Sequence, residues 1–139
     1  MQEVNFDAVL DVIVVKDPRY PRDAYHFIRE SLDFTQKLIG KENKGKVRHV
    51  TGRELLDGIR QHALAQFGPM TVTVLAEWGV RNCQDFGEMV FNMVENQLLA
   101  KTDKDSRDDF QDGYDFTEVF DKPFWPATKL KAAKKTVAK

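Results

Sequence analysis

The stretch NCQDFGEMVFNMVENQLL, Asn82 to Leu99, decides how this chain is arranged. Phe86, Val90, Met93 and Val94 recur at helical spacing, with Phe91 and Leu98 alongside, so apolar side chains occupy much of one helix's circumference. A helix that is apolar over so much of its surface has to be wrapped by others, which predicts a mainly α fold with this helix at its centre. Asn82 and Asp85 are spaced as a capping pair, in which each side chain accepts a hydrogen bond from the other residue's free backbone N–H, so the helix is expected to begin at Cys83 and to run to about Leu99.

Working outward, TGRELLDGIRQHALAQFGP (Thr51 to Pro69) has a second capping box in Thr51 and Glu54, a buried stripe in Leu55, Leu56, Ile59, Ala63 and Phe67, and a stop in Gly68-Pro69. A short helix, Thr71 to Trp78, follows and breaks at Gly79. Upstream, Pro21 suits a first helical position, after which Tyr25, Ile28, Leu32 and Ile39 mark one face, Phe27 and Leu38 lie beside it, and Gly40 reads as the terminator. Val4 to Val15 is the first helix, with Phe6, Val9, Leu10 and Ile13 in phase, although the β-branched run at its end also suits an extended last turn. KENKGKVRH is a charged loop. The expected architecture is mainly α: one domain of about five helices over residues 1–126, with room for a small winged-helix-like β-hairpin after Leu99, and a mobile lysine-rich tail over 127–139.

With 139 residues, 42% of them hydrophobic and 31% charged, the chain has the composition of an ordinary globular protein large enough for a core without staples. No apolar run approaches the roughly 20 residues of a membrane span, which excludes a membrane role. The first residues lack a basic start and a small-residue cleavage site, and the single cysteine, Cys83, fits a reducing compartment, so a cytoplasmic location is expected. The net charge of −1 conceals a division. Residues 103 to 121 carry eight acids against Lys104 and Arg107, and residues 127 to 139 carry five lysines and no acid, which leaves a neutral remainder.

The acidic segment, KTDKDSRDDFQDGYDFTEVFDK (Lys101 to Lys122), carries the main functional question. As a calcium loop it fails: a loop started at Asp103 places Arg107 fifth and Tyr114 twelfth, and one placing Gly113 sixth has Phe110 third and Val119 twelfth. Phe110 and Tyr114 are four apart, as are Phe116 and Phe120, with carboxylates filling the gaps. Disordered segments rarely carry so many rings, so the pattern predicts a strap fastened by its aromatics with its acids facing water. The same acids, Asp103, Asp105, Asp108, Asp109, Asp112 and Asp115, form a candidate surface for a protein partner with a basic face.

Other chemistry is sparse. His26, His49 and His62 show no zinc-ligand spacing, no glycine-rich phosphate or dinucleotide pattern occurs, and no cofactor or metal is expected. Asp85-Phe86-Gly87 spells the kinase magnesium tripeptide without any accompanying kinase motif, and inside a helix it reads as coincidence. Cys83 stands at a helix start, where the dipole lowers a thiol pKa, but no base accompanies it and a structural cysteine is the simpler reading. Arg19, Tyr20, Tyr25 and Arg29 form a candidate cationic-aromatic pocket, weighed against a helix start packed on its neighbour. No catalytic residue is assigned.

Thr71–Trp78, Gly79 and the helix from Cys83 also outline a helix-turn-helix, with LLAKTDKDSRDDF at the place of a wing. The charges oppose it. The would-be recognition helix bears Asp85, Glu88 and Glu95 with no Lys or Arg from Gln84 to Ala100, and such a surface repels phosphates. A non-catalytic interaction or regulatory module is therefore the leading expectation. The alternative is a winged-helix-like nucleic-acid-associated protein that binds weakly through its lysine tail.

DPRYPRDAYHF (Asp17 to Phe27), HVTGRELLDGIR (His49 to Arg60), QFGPM (Gln66 to Met70) and WGV (Trp78 to Val80) occur in order with DFGEMVFNMVE (Asp85 to Glu95) and KTDKDSRDDFQDGYDF (Lys101 to Phe116). On these motifs, over roughly residues 5 to 121, the chain resembles an uncharacterised bacterial family largely restricted to Planctomycetes and Verrucomicrobia. The resemblance implies a bacterial cytoplasmic protein and carries over no activity, cofactor or site residue.

Overall fold

Short polar side chains set three of the five α-helix starts in the computed structural model, which describes residues 5–42, 49–100 and 105–126. Asn5 accepts a hydrogen bond from the Ala8 N–H and opens α1, Phe6–Lys16. α2, Arg22–Glu42, begins directly after Pro21. The capping box of Thr51 and Glu54 opens α3, Gly52–Phe67, and a 3₁₀ turn at Gly68–Met70 leads into α4, Thr71–Glu77. The box of Asn82 and Asp85 opens α5, Cys83–Glu95. A 3₁₀ turn at Arg107–Phe110, a π-helical turn at Thr117–Asp121 and a 3₁₀ turn at Lys122–Phe124 complete the order. The described residues form a mainly α single domain of five helices.

The last turn of α1 is helical through Lys16, not the extended alternative. Three details differ from the sequence reading. Gly40 does not end α2, which continues to Glu42; a helical glycine costs about 1 kcal/mol but does not by itself stop propagation. α5 ends at Glu95 rather than near Leu99, because the Leu98 N–H reaches back to the Met93 carbonyl (2.8 Å) and the Gln97 N–H to the Val94 carbonyl (3.0 Å), with Gln97 at φ 65°. This is a Schellman termination with glutamine where glycine is usual. The hairpin expected after Leu99 is absent among the described residues. No strand occurs there, because the Ser106–Asp109 capping box winds the chain into a helical turn where a wing would need an extended strand. Residues 101–104 and the lysine tail, 127–139, lie outside the described residues.

α2 and α3 form the main helical pair, α1 lies on α2, and α4 packs on α3 and on the 117–121 turn. α5 is the central element, as its apolar circumference required: Phe86, Met89 and Met93 are fully buried, and Cys83, Gly87, Val90 and Phe91 nearly so. Around it lie Leu10 and Ile13 from α1, Tyr25 and Ile28 from α2, and Leu56 and Ile59 from α3. One side of α5 is left for the segment that begins at Asp105, which closes the core with Phe110, Phe116 and Phe120.

Candidate functional site

Phe110 is the first anchor of the acidic strap. The Ser106 hydroxyl accepts from the Asp108 N–H, and the Asp109 carboxylate accepts from the Ser106 N–H, so the turn is capped and Phe110 is aimed inward. Its ring lies against Gly87 of α5, where an added Cβ would come within 2.8 Å of the Phe110 Cβ, and stands edge-on to Phe91 at 6.4 Å. Tyr114 is the second anchor. Its hydroxyl donates to the Leu56 carbonyl of α3 at 2.9 Å, and burial pushes its pKa far above the usual tyrosine range, so the phenol stays protonated. Phe116 packs 5.6 Å from Phe86, and Phe120 is edge-on to both Phe116 and Tyr114. Arg107 lies 5.3 Å above the Phe91 ring and bonds Glu88 (2.7 Å) and Glu95 (3.0 Å) of α5.

The six predicted surface acids then fall into three groups. Asp108, Asp112 and Asp115 are exposed, and Glu118, not among the six, joins them. Asp112 holds a left-handed backbone, φ 52°, which Asp tolerates better than most residues and which turns the chain between Phe110 and Tyr114. Asp105 and Asp109 are partly buried and turned to hydrogen bonds, Asp105 to His49 Nε2 at 2.6 Å and Asp109 to its cap. Asp103 lies outside the described residues.

Of the candidate pocket, three members meet and one does not. Arg19 grips Asp17 through two bonds, Nε to Oδ1 at 2.8 Å and Nη2 to Oδ2 at 2.6 Å, and also reaches Glu88 at 3.3 Å. The buried Tyr20 donates to Asp85 Oδ1 at 2.6 Å. Asn92 of α5 donates to both Asp17 Oδ2 (2.9 Å) and the buried Tyr25 hydroxyl (3.0 Å). The Arg19 guanidinium holds the Asp17 carboxyl well below the usual carboxylate range, and burial raises the pKa of both tyrosines. Arg29 is elsewhere, 4.6 Å over the Phe6 ring. The cluster joins the start of α2 to α5 with its polar atoms turned to one another, a structural join.

Cys83 does not have the lowered pKa that a helix start suggests. Its buried thiol is pushed up by desolvation, and its Sγ lies 3.5 Å from the Tyr114 carbonyl, under the strap. Among the described residues, no group of three or more His, Cys, Asp and Glu side chains is placed to hold a metal ion, and no helix is long and apolar enough to cross a membrane.

The feature that sequence reasoning missed is a cavity of about 240 Å³ between α2, α3, α5 and the strap. Leu32, Leu55, Val90, Val94, Leu99 and Phe110 contribute its apolar walls, and Gln36, His49, Asp105 and Asp109 supply polar groups. The residues come from four separate places in the chain, so no spacing motif announces it. No family model, curated protein or solved structure matches this chain.

Proposed function

We propose that the protein is a non-catalytic interaction module that docks a partner with a basic surface through the acidic strap, in a bacterial cytoplasm. The observation that supports this reading is the contrast within one segment. Phe110, Phe116 and Phe120 are buried, while Asp108, Asp112, Asp115 and Glu118 stand in solvent on the backbone those rings hold. Carboxylates on a fastened backbone lose less conformational freedom when a cationic surface meets them, which favours binding without new folding. Their common sign steers a basic partner and speeds its encounter.

The test is retrieval of partners with the tagged full chain, treated with nuclease, alongside an Asp108→Asn/Asp112→Asn/Asp115→Asn variant. The reading expects a stoichiometric basic protein that the variant loses while its melting temperature stays put; recovery of the same protein by the variant overturns it. The five lysines of residues 127–139 support a second, weaker association with nucleic acid. That association should fall steeply with salt and vanish when residues 127–139 are deleted, without affecting the strap's partner.

A further inference from the structure

We propose that the outer face of α1 is where a second copy of this chain docks, the two helices antiparallel about a two-fold axis near Val12. Apart from Asp7, Asp11 and Lys16, every residue of α1 is apolar. A helix apolar on all sides belongs between other elements, yet among the described residues α1 is covered on one side alone. Leu10 and Ile13 are buried, and Phe6, Val9 and Val14 pack partly against the core. Ala8, Val12 and Val15 face outward, with Val12 46% and Val15 83% exposed. The spacing of these three, i, i+4 and i+7, is that of a helix-packing seam. The other large apolar side chains exposed among the described residues, Met70 and Phe124, stand on separate short turns.

The borders of the face select the occupant. Asp11 is ion-paired with Arg22 of α2, Asp7 lies 3.1 Å from His26 Nε2, and Lys16 stands on the opposite border. The acids Asp7 and Asp11 balance the cations Lys16 and Arg22, so the face offers no net sign to a strongly acidic or basic partner. A two-fold pairing is self-complementary. It sets Ala8 opposite Val15 of the second copy, brings each Arg22 beside the Asp11 of both copies, and opposes the two helix dipoles. Valine, stiff at χ1, loses little rotamer freedom when it is covered. The contact is small. The 11 residues of α1 present a face about 16 Å long and about 10 Å wide. That is well below the roughly 800 Å² per partner of a durable complex, so the pair is reversible, with a dissociation constant on the order of 100 μM. The strap's acids take no part in this contact, so its fate does not depend on the docking reading.

Sedimentation equilibrium of the full chain, from micromolar to millimolar concentration, tests it. A monomer–dimer equilibrium is expected that persists at high salt, because the seam is apolar. Val15→Glu and, independently, Val12→Lys place a charge in the seam and should weaken pairing about tenfold or more. Their melting temperatures at micromolar concentration should match the parent's, since neither side chain belongs to the core. Under mild oxidation Val12→Cys, set beside its own copy by the two-fold axis, should cross-link faster than Val15→Cys, set opposite Ala8; the native Cys83 is buried and does not compete. The proposal is overturned if the chain stays monomeric at millimolar concentration, if a folded variant pairs as the parent does, or if the two cysteine variants cross-link alike. Pairing that vanishes at high salt overturns it too, and would place the contact between the lysine tail of one copy and the strap of another. So does a shift of the Val12 and Val15 amides in the monomer on deleting residues 127–139, which would make the tail the occupant of this face.

Discussion

Asp17 is the residue on which the join between the α2 start and α5 turns, since it receives the Arg19 side chain through two bonds, the Arg19 backbone N–H through a third and Asn92 through a fourth. Its pKa is lowered in the fold, so the folded state binds its proton less readily than the unfolded chain does. The stabilisation is therefore full at neutral pH and is lost as pH falls below the ordinary carboxylate value of about 4. Asp17→Asn should lower stability at pH 7 by about 1–3 kcal/mol and flatten the acid limb of a stability-against-pH curve measured by urea unfolding. An unchanged acid limb would mean that the pair contributes little to folding. Tyr114 offers a narrower test. Tyr114→Phe keeps the ring and removes only the hydroxyl's bond to the Leu56 carbonyl, and chemical denaturation should show a loss of about 0.5–1.5 kcal/mol with the fold retained.

At the level of elements, the starts of α3 and α5 were legible because a capping box is a local signature: Thr51 with Glu54 and Asn82 with Asp85 read directly from four-residue windows. Thr51→Ala should cost about 1 kcal/mol, measurable as a drop in melting temperature. The end of α5 was not legible, because Gln97 takes the left-handed position that glycine usually marks. Ser106 with Asp109 has the same four-residue spacing, and that cap opens the turn at Arg107–Phe110. The i,i+4 spacing of the strap's rings did announce anchors, because ring spacing reports a packed face whatever turn carries it. Phe110→Ala should remove about 3–5 kcal/mol, seen as a large fall in the denaturation midpoint, since a fully seated ring against Gly87 leaves a hole that helix backbone cannot fill. The cavity was illegible for a plain reason. His49 and Asp105 are 56 residues apart, and only the packing of α2, α3 and α5 brings them to 2.6 Å.

Over the whole molecule, charge and packing are separated. The core is closed by helices and rings, the ion pairs of Arg19 and Arg107 lie along one side of α5, and Asp108, Asp112, Asp115 and Glu118 are exposed. Docking by those acids should weaken between low and physiological salt, because the screening length shrinks to about 8 Å at 0.15 M. Melting should change far less, since the rings that hold the strap are apolar. The measurement that tests the central claim most directly pairs two readouts on one variant, Asp108→Asn/Asp112→Asn/Asp115→Asn, which removes the charges and keeps the Asp112 turn and the Asp115 cap: its unfolding free energy and its retrieval of a protein partner after nuclease. The account predicts stability within about 0.5 kcal/mol of the parent, as for exposed substitutions generally, and loss of the partner. A variant that keeps its partner, or that unfolds instead, would show that these carboxylates serve the fold or nothing at all, and would contradict the docking surface.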